Sequence, residues 1–268
     1  MESVTPLQAN AHPAQIFTRV FCCTAVVQEK KNLYFGMSTK RECPTNQPAG
    51  AVKKRKNETH TPEKTNIPGA LYVADFLTPQ EETQLLARID DEDWLHDLSR
   101  RVQHYGWKYN YKERSVQPRD YLGPLPAWLR TLADRLVERK IAASDFDQVI
   151  VNEYLPGQGI GAHVDQPAMF AEEIVTVSLA SATTMRFTPA RHAASGEKKV
   201  QQIRLRPRSA LLLKKEARYD WKHEIPRQKS DVVTSAEPGG TPCQGGLKFR
   251  VPRSRRVSVT FRCVKKPE

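Results

Sequence analysis

The chain has 268 residues, with 42 Lys and Arg against 30 Asp and Glu, a net charge of +12 at neutral pH, and 39% hydrophobic residues. That length supports one substantial core plus a tail, and the basic balance favours a polyanionic partner, nucleic acid before membrane. No apolar run approaches the roughly 18 residues that a membrane span needs, and the five cysteines are odd in number with no Cys-x-x-Cys pair, so neither a disulfide framework nor a zinc site is expected.

Residues 1–65 read as a disordered basic tail. Lys53-Lys54-Arg55-Lys56 sits in a polar run with Asn57, Glu58, Thr59 and Thr61, which cannot bury enough apolar area to order itself. The tetrad is either a solvated linker or a nuclear-import or nucleic-acid patch. Residues 1–40 make a poor secretory signal and an equivocal mitochondrial one. A reducing compartment is expected, nucleus or cytoplasm, with the mitochondrion as the alternative.

The globular part is expected over residues 66–268. Ala70-Leu71-Tyr72-Val73 predicts a strand. Thr78-Pro79-Gln80-Glu81 has capping-box spacing with Pro at the first helical position, and Leu85, Leu86 and Ile89 continue that helix. In residues 100–121, Arg100, Arg101, Lys108, Lys112, Arg114 and Arg119 interleave with Tyr105, Trp107, Tyr109, Tyr111 and Tyr121. Cations among aromatics suit phosphates and unstacked bases; the alternative is a half-buried hairpin with its rings packed inward. A second helix is expected over about 125–140, with Leu129, Leu132, Leu136 and Val137 toward the core. Val149-Ile150-Val151 runs into Asn152 and Tyr154, which share a strand face. Pro156 to Gly161 reads as a tight turn entering a strand, and Ile174 to Leu179 alternates like a half-buried strand. Arg227, Lys229, Lys248, Arg250 and Arg253 flank Pro238-Gly239-Gly240, a basic loop that either covers the site mouth or is a solvated insertion. The pattern as a whole is mainly β with flanking helices (α+β), the helices buttressing a double-sheet jelly roll.

The chemistry gathers at three places. His163 and Asp165 are two apart, so on a strand both reach one face, and the fold must bring in His223. Two histidines and a carboxylate can cap one face of an iron ion, leaving the other open for an oxo-acid and oxygen. In Arg256-Val257-Ser258-Val259-Thr260-Phe261-Arg262 the polar residues share one face and the apolar residues the other. Two guanidinium forks there could hold both ends of a small dicarboxylate, or the strand could be an edge with a wet basic face. The amide of Asn152 and the phenol of Tyr154 are hydrogen-bond partners for a bound acid.

Asn-x-Tyr, Pro-Gly-Gln-Gly-Ile, His-x-Asp, a distal His and Arg-x-Ser-x-Thr-x-Arg together resemble the AlkB family of Fe(II)/2-oxoglutarate dioxygenases, in that order, over residues 66–268. The resemblance implies a double-stranded β-helix core with His163, Asp165 and His223 as iron ligands. It also implies Asn152, Tyr154, Arg256 and Arg262 as 2-oxoglutarate contacts, with Fe(II), 2-oxoglutarate and O2 as cofactors. Residues 104–111 and 218–223 look most like the branch that hydroxylates tRNA wobble uridines. The family has Asn where this chain has Ser258, and DNA-repairing relatives carry an acid where this chain has Pro167. The implied substrate is therefore a modified base in nucleic acid, RNA (tRNA above all) favoured over DNA. The implied chemistry is demethylation or hydroxylation, with Tyr105, Trp107, Lys108, Tyr109 and Arg114 as substrate contacts. A monomer without membrane contact is expected. The alternative is a dioxygenase of the same fold acting on a protein or a small molecule.

Overall fold

The chain divides into two units, Met1–Lys54 and Arg55–Glu268. The computed structural model describes residues 62–96, 98–190, 200–234 and 248–265, all in the second unit. The expected tail, with its basic tetrad, lies outside the described residues except for residues 62–65, and so does Pro238-Gly239-Gly240. Among the described residues no helix is long and apolar enough to cross a membrane.

Among the described residues, runs of β-branched and alternating residues form thirteen antiparallel strands. In chain order they are β1 Glu63–Lys64, β2 Ala70–Val73, β3 Val102–Tyr105, β4 Gln148–Tyr154, β5 Ile160–His163, β6 Ile174–Leu179, β7 Thr183–Pro189, β8 Gln201–Leu205, β9 Ser209–Leu213, β10 Trp221–Ile225, β11 Ser230–Thr234, β12 Lys248–Pro252 and β13 Arg256–Arg262. The helices are α1 Pro79–Asp90, α2 Ala127–Glu138 and α3 Lys215–Tyr219. A seven-stranded sheet has the order β1-β2-β9-β6-β13-β4-β3, a four-stranded sheet has β5-β10-β7-β8, and β11 pairs with β12 in a ribbon. β1 starts the ordered sheet three residues before the expected boundary at 66, because Glu63 and Lys64 pair with Tyr72 and Leu71.

The large sheet is covered on both faces. On one side α1 and α2 lay Ile89, Leu129, Leu132 and Leu136 against Val149, Val151, Val177, Val257, Val259 and Phe261. On the other side Tyr72, Tyr154, Leu211 and Leu213 meet Met185, Phe187, Leu205 and Ile225 of the small sheet, which closes the jelly roll. Each large side chain so buried contributes about 1.5–3 kcal/mol relative to exposure. Double coverage also decides the fate of β13. It hydrogen-bonds to β4 and β6, and all seven of its residues are buried, so it is a central strand and the wet-edge alternative falls. Val137, expected in the core, is instead 41% exposed at the end of α2, one position round the helix from Leu136.

Local signals hold the framework. The Thr78 hydroxyl accepts from the Glu81 N–H at 3.2 Å, and the Glu81 carboxylate accepts from the Thr78 N–H at 2.9 Å. Thr78→Ala should cost about 1 kcal/mol of stability, read as a lowered midpoint in urea; an unchanged midpoint would mean that the cap contributes nothing. Gly159 is required where the turn passes β10, because a Cβ there would lie 2.2 Å from the Ile225 carbonyl oxygen. That close approach seats β5 beside β10.

Candidate active site

The register of β5 against β10 places His163 directly opposite His223, with the rings 4.4 Å apart. Nδ1 of His163 is 2.8 Å from the Gly161 carbonyl oxygen, which turns Nε2 inward. Asp165, just past the end of β5, receives both rings: His163 Nε2 lies 3.9 Å from Oδ1 and His223 Nε2 4.0 Å from Oδ2. Ligand atoms of the three residues all lie within 4.8 Å of one another. These gaps are too wide for hydrogen bonds and small enough to close on one ion with bonds of roughly 2.0–2.2 Å.

The electrostatics prepare the donors. Burial works to raise the Asp165 carboxyl, but the charges of Arg262, both imidazoles and Arg218 hold it well below the usual carboxylate range. Burial, then His163, pushes His223 down to about 4, so it is a neutral imidazole at physiological pH, the form that ligates.

An inner cavity of about 490 Å3, measured to its open mouth, runs from this cluster between the sheets. Its walls include Asn152 and Tyr154 from β4, Ile160 from β5, and Arg256, Ser258, Thr260 and Arg262 from β13, the polar face of β13 read from the sequence. Arg256 is 3% exposed. Its Nη2 donates to Ser178 Oγ at 2.9 Å, and its guanidinium lies 5.4 Å from the Tyr154 ring centroid. Nε and Nη1 have no partner, and burial pushes the group down to about 10. A buried guanidinium with two orphaned donors beside a cavity fits a bound carboxylate. Arg262 is placed differently: Nη2 donates to Asp165 Oδ1 at 3.0 Å and Nη1 to Gln148 Oε1 at 3.3 Å, while Nε is unpartnered.

A second, wider cavity of about 1270 Å3, also measured to open solvent, shares Asn152, Ile160, His163, Asp165 and Arg262 with the first. Its outer wall is Arg100, Tyr109, Tyr111, Arg114 and Phe170. The 100–121 segment is thus split where β3 ends at Tyr105 and the chain turns at Gly106, whose φ is +74°. Gln103 and Tyr105 face the helices, where Gln103 donates to the Ile89 carbonyl at 2.8 Å and Tyr105 packs edge-on against Trp128. Trp107 packs on Tyr121 at 4.7 Å. Lys108 is exposed, held by its backbone to Asp120. Of the five expected substrate contacts, Tyr109 and Arg114 line the cavity, and Tyr105, Trp107 and Lys108 are not among its walls.

Two neighbours, Arg218 and Phe170, were not singled out for the site from sequence, and Arg100, read there as one of the cations of residues 100–121, takes a place beside Asn152. Arg218, 2% exposed, donates to the carbonyls of Asp165 at 2.6 Å, Phe170 at 3.2 Å and Ala171 at 3.3 Å, so α3 clamps the loop that follows β5. Arg100 donates Nε to Asn152 Oδ1 at 2.8 Å and lies 5.9 Å from the Tyr111 ring. Phe170 underlies Arg262 at 5.1 Å and meets Tyr109 at 5.8 Å. Backbone carbonyls leave no mark in a sequence, so nothing there signals the Arg218 clamp.

Comparison with known proteins agrees with this geometry. Residues 69–262 match the 2OG-Fe(II) oxygenase superfamily. An Arabidopsis thaliana protein named alkylated DNA repair protein ALKBH8 homolog is 36% identical over 75% of this chain and 59% of its own length. The Xenopus tropicalis tRNA (carboxymethyluridine(34)-5-O)-methyltransferase alkbh8 is 34% identical over 74% of this chain and 32% of its own length. An uncharacterized Acanthamoeba polyphaga mimivirus protein, L905, is 34% identical over 74% of this chain and 86% of its own. The chain therefore spans about three fifths and one third of the two named relatives. The solved structure of OsALKBH1 shares the fold at a TM-score of 0.51 and 16% identity, over 76% of this chain and all of that one.

Proposed function

The chain belongs to the 2OG-Fe(II) oxygenase superfamily as an AlkB-like 2-oxoglutarate-dependent dioxygenase using Fe(II), 2-oxoglutarate and O2, and on that premise we propose that it oxidises a modified base in nucleic acid, RNA in preference to DNA. The observation that carries the reading is the pair of adjoining cavities that share His163 and Asp165, with His223 completing the cluster from the inner one. In this reading those three residues hold the iron. The orphaned Arg256 and the Tyr154 phenol take the distal carboxylate of 2-oxoglutarate. Asn152 and Arg262, at the junction, orient its keto-acid end.

When bound, the iron and its co-substrate supply an oxidant that hydroxylates a substrate carbon while 2-oxoglutarate becomes succinate and carbon dioxide. The protein's part is positioning. Apolar walls at Ile160, Ile174, Met185, Leu211 and Leu213 keep bulk water from the inner cavity. The wide outer cavity offers the rings of Tyr109, Tyr111 and Phe170 and the cations Arg100 and Arg114. Rings stack on an unpaired base and guanidinium groups meet phosphate. A hydroxylated N-methyl group falls away as formaldehyde, whereas a hydroxyl placed on a uridine side-chain carbon stays. The two named relatives point to alkylated DNA and to the wobble uridine of tRNA. Pro167, where DNA-repairing relatives carry an acid, favours the second.

The test is succinate formation across a panel of modified RNA and DNA oligonucleotides, tRNA anticodon stem-loops included. Stimulation by RNA above DNA is expected; stimulation only by a peptide or metabolite would overturn the reading. Tyr109→Ala and Arg114→Ala should each weaken RNA binding, by about 1–3 kcal/mol for a missing stack and less for a missing phosphate partner. Trp107→Ala should instead lower the melting temperature and leave RNA binding near wild type, because its ring packs on Tyr121. Weakened binding by Trp107→Ala without loss of stability would return that ring to the substrate.

A further inference from the structure

We propose that the β11–β12 ribbon is a second phosphate-backbone contact, which grips the nucleic acid outside the catalytic cavity; the inference rests on the nucleic-acid reading above.

Unpaired cations are concentrated on this ribbon. Many arginines elsewhere have carboxylate partners: Arg88 with Glu92, Arg119 with Glu113, Arg130 with Asp145, Arg208 with Asp75, Arg255 with Asp90, although exposed Arg114 and Arg139 make no such pair among the described residues. Arg227 and Lys229 at the foot of the ribbon, and Lys248 and Arg250 on β12, are all exposed. Among the described residues none of the four makes an ion pair with a carboxylate. The acid of the ribbon, Asp231, cannot neutralise them. It is 1% exposed and already engaged by Arg253 at 2.8 and 3.2 Å, with Arg204 at 3.6 Å. The register puts Arg250 opposite Val232 and Lys248 opposite Thr234, so the two cations are two residues apart on one face, and Arg250 reaches the Ser230 hydroxyl at 3.4 Å on that same face. Phe249, between them in sequence, is 48% exposed on the opposite face of the ribbon.

The ribbon is held in place and joined to the site. Arg253 ties Asp231 to the Pro226 carbonyl, donating to the latter at 2.7 Å, so its foot is anchored in buried structure. The Gly157 N–H donates to the Gln228 carbonyl at 3.2 Å. In the same turn Gln158 donates to the Ser99 carbonyl, and Ser99 lies between Leu98 and Arg100 on the rim of the outer cavity. One turn of chain thus links the cavity rim to the foot of the ribbon. A strand of nucleic acid leaving the cavity past Arg100 would meet Lys229 and Arg227 next and the β12 cations beyond. Cations without acidic partners are the ones that gain by releasing counterions from phosphates.

Full-length protein with Lys248→Ala and Arg250→Ala together tests this, by fluorescence anisotropy with a labelled single-stranded RNA and a labelled DNA over a range of salt. The salt dependence should flatten by about 0.7 for each phosphate of a single strand that is no longer neutralised, and affinity at low salt should fall about tenfold. Both side chains are exposed, so the melting temperature should hold, and 2-oxoglutarate turnover without nucleic acid should be unchanged. Arg88→Ala, which removes a paired cation, serves as the control and should leave binding alone. Wild-type affinity and slope in the double variant overturn the ribbon contact while leaving the active-site reading intact. If the unmutated protein binds neither RNA nor DNA with any salt dependence, the nucleic-acid reading falls and takes this inference with it.

Discussion

Asp165→Ala should reduce succinate formation to background, and His163→Ala should do the same. The carboxylate is the hub of the cluster: its two oxygens face the two imidazoles at 3.9 and 4.0 Å, and Oδ1 also accepts from Arg262. Without it the two rings are left with the Arg262 charge close by and no anion to offset a divalent ion, so binding loses both a ligand and its charge balance. His163→Ala removes one neutral donor and leaves the carboxylate paired to Arg262. A three-ligand site that loses one ligand opens to water and loosens the ion, and a change of at least a hundredfold in turnover is expected, because even outer partners of metal ligands are worth about 10–100-fold. The check is succinate release together with anaerobic Fe(II) titration followed by absorbance. Undiminished turnover in either variant would remove these residues from the metal.

The two assignments were not equally legible in the sequence. Period-two alternation in Arg256–Arg262 specified which residues share a face, and the structure keeps those faces: Val257, Val259 and Phe261 against the helices, the polar four along the inner cavity. Whether that strand was an edge or a centre could not be read from it, because the answer depends on β4 and β6, which pair with it from far along the chain. The meeting of His163 and His223 was a demand of chemistry, not a reading of pattern. It is satisfied by a register across β5 and β10 that Gly159 permits and no local signal encodes. In residues 100–121 alternation could not separate the rings, since Tyr105, Trp107, Tyr109 and Tyr111 are each two apart; they part because β3 ends at Tyr105 and the chain turns at Gly106, where φ is +74°. Five aromatics among six cations read as one surface, yet β3 turns Tyr105 inward, and the Trp107–Tyr121 bridge depends on a pairing fourteen positions apart. The outer wall accordingly draws on Tyr109 and Tyr111, from the turn beyond β3, and on Phe170, which no motif marks.

The arginines of β13 should separate under mutation, although both end their strand's polar face. Arg256→Met removes a guanidinium whose Nε and Nη1 have no protein partner and whose ring neighbour is Tyr154. A carboxylate bound there would be left buried and unpaired, a loss of roughly 2–5 kcal/mol. The apparent affinity for 2-oxoglutarate should fall by tenfold or more while Fe(II) titrates as in the parent protein. Stability should not suffer and could rise, because the variant also removes a buried charge that burial alone disfavours. Arg262→Met should weaken 2-oxoglutarate binding as well, but it also strips Asp165 of a hydrogen bond at 3.0 Å and of the charge that most depresses its carboxyl. Iron affinity should therefore fall in this variant and not in the other. Calorimetric titration of 2-oxoglutarate with a redox-inert divalent ion, set beside metal titration alone, reads both effects. Wild-type 2-oxoglutarate affinity in Arg256→Met would show that the inner cavity holds its acid elsewhere. Equal metal affinity in the two variants would show that the Arg262 to Asp165 bond does not support the ion.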